Sequence, residues 1–246
     1  MTVIFWDFDG TLTHAKSLWT KSLCRALAET DADLTYDIEQ LRDCLRRGFP
    51  WHTPDADLRH LTGEAWWAFM EQHFYESYLL CGIPTQQARQ ATDKIRGIIK
   101  EPQNYHFYED TIEALEEAHK LGYKNVLLSN NYPDLPEVLQ AIGLDRYLDD
   151  VIVSGIEGYD KPREELFALA KRRNPADNYY MVGDNAAADI LGGRRSGMTT
   201  VYVHKGNCDQ ADHCFDTLMP VIALIKTDGL KRRRLRRQDR RAQGTS

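Results

Sequence analysis

Residues 2–11 read Thr-Val-Ile-Phe-Trp-Asp-Phe-Asp-Gly-Thr, and this stretch decides the fold that we expect. Its first five residues are β-branched or aromatic and carry no charge, which predicts a short buried strand that Gly10 brings to an end. Asp7 and Asp9 are two residues apart, so both side chains point to one face of an extended chain. Ligands bind at the carboxyl ends of the strands in open parallel α/β sheets, and the pair therefore predicts a small site there.

Two clustered carboxylates repel each other unless a cation or a shared proton relieves them. A hard divalent cation is the simplest solution, and Mg²⁺ suits one or two carboxylates together with a substrate phosphate. The alternative is a strand that ends in an acidic turn, because Asp-Gly is a common turn pair. This stretch alone leaves both interpretations open.

Composition predicts a globular protein with a sizeable core. The chain has 246 residues, of which 42% are hydrophobic and 28% are charged. No apolar run approaches the roughly 18 residues of a membrane span, and no basic segment precedes the first apolar run, so we expect neither a membrane partner nor a signal peptide. The five cysteines are scattered and form no CxxC pair, which favours a reducing cytoplasm.

The pattern between residues 14 and 103 is helical, with apolar residues at helical spacing in four segments. From about residue 104 the pattern changes to alternating strands and helices. This alternation predicts a doubly wound parallel sheet of the α/β class, with the helical segment inserted after the first strand. Further strands are expected at 125–129, 151–153, 179–182, 199–203 and 213–215, and helices at 111–121, 135–142, 164–171, 186–196 and 218–225.

Polar groups follow three further strands as well as the first. Ser129 and Asn130 end one strand, Lys161 lies in the loop after another, and Asp184 follows a third with Asp189 five residues beyond it. Taken singly, these residues fit a turn, a solvated charge and a helix N-cap. All four strand ends share one edge of a parallel sheet, however, so their coincidence predicts one site.

With these four groups of residues, the sequence resembles the haloacid dehalogenase-like hydrolases. DFDGT, SNN, the Lys of GYDKP and GDNAAAD match the four motifs of that family, in order. The inserted helices resemble the cap of the phosphoglycolate phosphatase-like and nucleotidase-like members. The resemblance implies a Rossmann-like core with a mobile helical cap, Mg²⁺ as cofactor, and phosphoric monoester hydrolysis of a small phosphorylated substrate.

The resemblance and the chemistry together suggest roles for the acidic residues. Asp7 would attack phosphorus and form an aspartyl-phosphate, and Asp9 would protonate the leaving alcohol and later deprotonate water. By the family match, Mg²⁺ is bound by the Asp7 side chain, the Asp9 carbonyl and Asp184. Asp189 would orient Lys161 or a metal-bound water.

The remaining motif residues would bind the phosphoryl group. Ser129 and Asn130 would hold its oxygens together with backbone amides of the first motif, and Lys161 would balance the developing charge. An Asp at position 9 favours a phosphatase or a phosphomutase, so the mutase stays an alternative.

The segment Arg-Arg-Gly-Phe-Pro-Trp-His at 46–52 combines cations with aromatic rings. It either contacts an anionic or flat substrate, or it is a helix end with a basic last turn and a packed Trp. His14 either lines the entrance to the site or is an ordinary hinge residue.

The chain is therefore predicted to divide into a catalytic core (1–13 and 104–228), a helical cap (14–103) and a basic tail (229–246). Residues 231–246 contain eight Lys or Arg residues and one acid, although the whole chain has a net charge of −6. Such a run predicts a disordered terminus. The alternative is a nucleic-acid-associated protein that binds through this tail.

Overall fold

The computed structural model describes residues 1–15, 17–53 and 56–243, with side chains as far as residue 231. Its strands are β1 (Thr2–Trp6), β2 (Thr13–His14), β3 (His106–Phe107), β4 (Lys124–Ser129), β5 (Asp150–Val153), β6 (Asn178–Gly183), β7 (Thr199–Val203) and β8 (His213–Phe215). Six of them form one sheet in the order β5-β4-β1-β6-β7-β8, and every neighbouring pair in it is parallel. The predicted α/β fold with a Rossmann-like core is thus confirmed.

Strand β1 lies in the middle of this sheet and is buried on both faces. Ile4 and Trp6 pack into one hydrophobic cluster, whereas Val3 and Phe5 pack into another on the opposite face. This alternation is the period of two that a strand imposes. Helices cover both faces, and they are α5 (Thr111–Lys120), α6 (Leu135–Ala141), α7 (Ser154–Glu157), α8 (Glu164–Arg173), α9 (Gly192–Arg195) and α10 (Met219–Gln243).

Four helices lie between β2 and β3, in the region where the sequence is helical throughout. They are α1 (Leu18–Ala28), α2 (Ile38–Leu45), α3 (Glu64–Leu80) and α4 (Thr85–Ile99). Strands β2 and β3 pair antiparallel, with Thr13 opposite Phe107, so the two ends of the inserted segment lie side by side. The boundaries of the cap at residues 14 and 103 stay a prediction.

The helix expected at 186–196 is present, and its first part is a π-helix, which is wider than an α-helix. It begins as a π-helix over Ala186–Leu191 and continues as α9. The Asn185 side chain accepts hydrogen bonds from the N–H groups of Ala187 and Ala188, while Asp189 turns inward. A π-turn at a helix start often accompanies a functional site.

The C-terminal helix differs from the prediction at its far end. Helix α10 continues to Gln243, whereas we expected a disordered tail from residue 229. Leu, Lys, Arg, Gln and Ala are strong helix formers, and neither Gly nor Pro occurs between residues 230 and 243. Residues 244–246 of the predicted tail lie outside the described residues.

Within the described part of the chain, none of the helices is both long enough and apolar enough to cross a membrane.

Candidate active site

The ends of β1, β4 and β6 and the loop after β5 meet at one cleft of about 740 Å³. Strand β1 lies between β4 and β6, so the residues that follow these strands are brought side by side. The predicted site residues that line the cleft are Asp7, Asp9, Ser129, Asn130, Lys161 and Asp184. Asp189 is completely buried beside them.

Lys161 connects two carboxylates within this group. Its Nζ atom lies 2.9 Å from Oδ1 of Asp7 and 2.6 Å from Oδ1 of Asp189. Burial by itself would lower the pKa of Lys161, but the two carboxylates outweigh burial and raise it. Lys161 is therefore a fixed positive charge beside Asp7.

Asp189 holds the Lys161 ammonium in position from the buried side of the site. Its second oxygen accepts a hydrogen bond of 2.9 Å from the Asn185 N–H. Gly183 allows this approach, because a Cβ atom there would lie 2.2 Å from an Asp189 carboxylate oxygen. Burial raises the pKa of Asp189 to about 7, although Lys161 acts in the opposite direction.

Asp9 occupies the open side of the cleft. Its Oδ2 atom accepts a hydrogen bond of 2.9 Å from Nδ2 of Asn131. Desolvation by the surrounding protein and the nearby Asp7 carboxylate raise the pKa of Asp9 to about 7, even though its side chain still reaches the water of the cleft. Asp9 is thus poised to hold or release a proton near neutral pH.

Asp184 completes an acidic cluster. Carboxylate oxygens of Asp7, Asp184 and Asp189 lie within 4.8 Å of one another. Gly10 has a φ of +83°, and a Cβ atom at this residue would lie 2.1 Å from Oδ2 of Asp184, so only glycine fits. Burial and the Asp7 charge raise the pKa of Asp184. Hard oxygen donors in this arrangement are suited to a divalent cation.

Asn130 lines the cleft as predicted, and its side chain also contacts the Lys161 loop. Its Oδ1 atom accepts the Lys161 N–H at 2.6 Å, and its Nδ2 atom donates to the Lys161 carbonyl at 2.9 Å. The amide therefore fixes the Lys161 loop in this structure, and its predicted contact with a phosphoryl oxygen stays a prediction. The Ser129 hydroxyl lines the cleft at the same strand end, and its predicted contact with the phosphoryl group also stays a prediction.

Two polar residues of the site escaped sequence analysis. Asn131 binds Asp9, and Lys205, just past the end of β7, lies with Nζ 2.5 Å from Oδ2 of Asp184. Lys205 follows a strand end as Asp7 does, and this signal could have identified it. Asn131 gave no separate signal, because it follows directly after Asn130 in the same turn.

A model of the haloacid dehalogenase-like hydrolase family matches residues 1–197. Phosphoserine phosphatase of Thermus thermophilus is 33% identical over 145 residues, which are 57% of each chain. The match therefore spans little more than half of that relative. Haloacid dehalogenase-like hydrolase domain-containing protein 3 of Mus musculus is 28% identical over 211 residues, or 82% of each chain.

Solved structures share the fold. A phosphatase of the same family from Thermococcus onnurineus superimposes with a TM-score of 0.65 at 22% identity, covering 92% of this chain and 98% of that chain. The 2-haloacid dehalogenase from Pseudomonas syringae gives 0.65 at 20% identity, covering 91% and 97%. At such identities the likeness establishes the fold alone.

Proposed function

Because this chain belongs to the haloacid dehalogenase-like hydrolase family, we propose that it is a Mg²⁺-dependent phosphatase that hydrolyses small phosphate monoesters through an aspartyl-phosphate on Asp7. One observation carries this proposal. The Asp7 carboxylate opens into the cleft at the end of the central strand, 2.9 Å from the Lys161 ammonium and beside Asp9. A nucleophile, a balancing cation and an acid–base group are thereby adjacent.

In the first step an Asp7 oxygen forms a bond to phosphorus while the bond from phosphorus to the alcohol oxygen breaks. Asp9 gives its proton to that oxygen, which leaves as the alcohol. In the second step Asp9 takes a proton from water, the water oxygen attacks phosphorus, and inorganic phosphate leaves Asp7. The raised pKa of Asp9 supports its use as an acid in the first step and a base in the second.

Lys161 and the strand ends would stabilise the transferring group. The Lys161 ammonium faces the nucleophile, so it counters the negative charge that accumulates around phosphorus. The Ser129 hydroxyl and the Asn130 backbone N–H can donate hydrogen bonds to phosphoryl oxygens. The Asn130 side chain would act indirectly, by holding the Lys161 loop.

The donor set fits Mg²⁺, which we propose is held by the Asp7 and Asp184 side chains and the Asp9 carbonyl. When bound, the ion supplies positive charge that offsets repulsion between Asp7 and the phosphate. Both oxygens of Asp189 are already used by Lys161 and Asn185, so Asp189 acts on the site through Lys161.

We further propose a cytoplasmic protein. The five cysteines are free thiols, which is typical of proteins in a reducing compartment.

The test is phosphate release from p-nitrophenyl phosphate and a panel of sugar phosphates, with Mg²⁺ or with EDTA. We expect turnover that requires Mg²⁺ and is abolished in Asp7→Asn, whereas the matched variant Asp93→Asn, at an exposed position of α4, keeps it. Turnover by Asp7→Asn, or full activity in EDTA, would contradict the mechanism. Transfer of the phosphoryl group to a second hydroxyl, without phosphate release, would identify a phosphomutase.

A further inference from the structure

The cleft is bounded on the side of the inserted helices by Trp19, Phe49 and Trp51, which we call the aromatic wall. The rings of Phe49 and Trp51 stack with centroids 4.8 Å apart and planes inclined by 18°. The Trp19 ring lies 4.8 Å from Phe49. Phe49 is buried while both indoles are half-buried, so the wall presents mainly indole surface to the cleft.

The structure holds this wall in place before any ligand arrives. Gly48 has a φ of +95°, and a Cβ atom there would lie 2.4 Å from the His73 ring, so the loop is pressed against α3. Trp51 follows Pro50 in a 3₁₀ turn and stacks on the buried Trp66 at 6.2 Å. A preformed aromatic surface binds a flat group at low entropic cost.

Packing in the core is enough to explain the aromatic residues behind the wall, but it does not explain the wall itself. Trp66 and Phe74 are fully buried and need no ligand. The indoles of Trp19 and Trp51 instead leave apolar surface in the same cleft as Asp7 and Lys161. Contact of this apolar surface with water is unfavourable, and a planar ring that stacked on it would remove it from water.

Arg46 adds a polar recognition element beside the wall. It follows the last turn of α2 and lines the same cleft, with 70% of its side chain exposed. Its Nη1 atom lies 3.3 Å from Asp43. A guanidinium has five N–H donors, more than this single contact uses, so donors remain for acceptors on a ligand.

We infer that the substrates are phosphate monoesters whose alcohol carries a planar heteroaromatic ring set apart from the phosphoryl group. The ring stacks on the aromatic wall, and Arg46 donates to acceptor atoms on its edge. This inference rests on the proposed phosphatase function and specifies the leaving group that the site selects.

The test compares nucleoside 5′-monophosphates with ribose 5-phosphate in the presence of Mg²⁺. Both release the same type of primary alcohol, so a difference in kcat/KM reports on the ring and not on the scissile bond. We expect the nucleotides to be preferred by roughly 5- to 150-fold, the range that corresponds to stacking of one base on an aromatic side chain.

Substitutions in the aromatic wall and at Arg46 identify which side chains cause that preference. Trp51→Leu should bring the ratio of kcat/KM values close to one, whereas Trp51→Phe, which keeps a flat ring, should retain most of it. Arg46→Gln, at an exposed position that tolerates substitution, should lower the ratio severalfold. The control is Phe69→Leu, an exposed aromatic residue of α3 outside the cleft, which should leave the ratio unchanged.

Failure of this inference can be told apart from failure of the proposed function. Equal kcat/KM values for both substrates would overturn the inference and leave the phosphatase intact. If no ester releases phosphate, the proposed function fails, and calorimetric titration of Asp7→Asn protein with each ligand decides the inference alone. Tighter binding of the nucleotide would then support it, and equal binding would overturn it.

Discussion

Lys161 is the residue on which the charge balance of the site depends. It is buried between the carboxylates of Asp7 and Asp189, at 2.9 and 2.6 Å. Without it, two closely spaced negative charges would face each other in a desolvated setting. By contrast, Lys205 pairs with Asp184 while 55% of its side chain is exposed.

These two lysines provide a matched prediction for stability. Lys161→Met should lower the free energy of unfolding by roughly 3–5 kcal/mol, because it leaves buried charge without a partner. Lys205→Met should cost less, roughly 1 kcal/mol, because solvent reaches the Lys205 end of the pair even though Asp184 itself is buried. Urea unfolding at pH 8 without metal measures both, and equal losses would refute the distinction.

In the proposed mechanism Asp9 is the proton donor and Asp7 the nucleophile, so the effect of replacing Asp9 should depend on the substrate. Asp9→Asn should slow transfer from an alkyl phosphate by roughly 10²- to 10⁴-fold, the usual contribution of general acid–base catalysis. The loss should be smaller with p-nitrophenyl phosphate, whose leaving group needs little protonation. Single-turnover release of the alcohol isolates this step, and equal losses would show that Asp9 acts through the metal or through structure.

At the scale of secondary-structure elements, Arg96 of helix α4 connects the inserted helices to the core. Its Nε atom lies 2.8 Å from Asp134, the buried residue that precedes α6, and its Nη2 atom lies 2.7 Å from Glu64 at the start of α3. The guanidinium also stacks over the Trp67 ring at 5.1 Å. Three elements thus converge on one side chain.

Arg96→Gln should lower the free energy of unfolding by roughly 1–3 kcal/mol, since the buried Asp134 carboxylate loses two hydrogen bonds from the guanidinium and keeps the Lys100 contact at 3.1 Å. The control Lys120→Gln removes an exposed pair with Glu116 and should change stability by less than about 0.5 kcal/mol. Chemical denaturation gives both values. A loss no greater than that of the control would show that the contact contributes nothing.

The basic end of α10 bears on the whole molecule. Among the residues of this helix whose side chains the structure describes, Ile225 is the last apolar one that packs into the core, and residues 231–246 follow every motif of the site. Their eight basic residues are the sequence feature on which the alternative of a nucleic-acid partner rests.

Removal of residues 231–246 should therefore change turnover of a small phosphate ester by less than about twofold, under roughly 0.5 kcal/mol in barrier. If the segment binds nucleic acid, the full chain should bind DNA or RNA with a steep salt dependence that the truncated chain lacks. Turnover and binding of both forms at two salt concentrations provide the comparison. A large loss of turnover would show that the segment reaches the site.

Local patterns predicted most of the architecture. The period of two in β1, its lack of charge and the strand–helix alternation after residue 104 specify a parallel sheet with β1 inside it. At the end of α10 the run of like charges predicted disorder, whereas the high helix propensity of the same residues, which is also a local property, agrees with a helix to Gln243. The helix predicted at 186–196 is present, but no local pattern indicated that its first part, Ala186–Leu191, is a π-helix.

The sequence by itself determined the fold class, the family and the strand ends at which the acidic residues and Lys161 meet, because strand periodicity and motif order are local properties of the chain. Only the tertiary structure decided how the polar groups pair. The Asn130 amide is taken up by the Lys161 backbone, Asn131 binds Asp9, and Lys205 reaches Asp184. These pairs join segments far apart in the chain, and their geometry depends on how strands and loops pack in three dimensions, which no local pattern records.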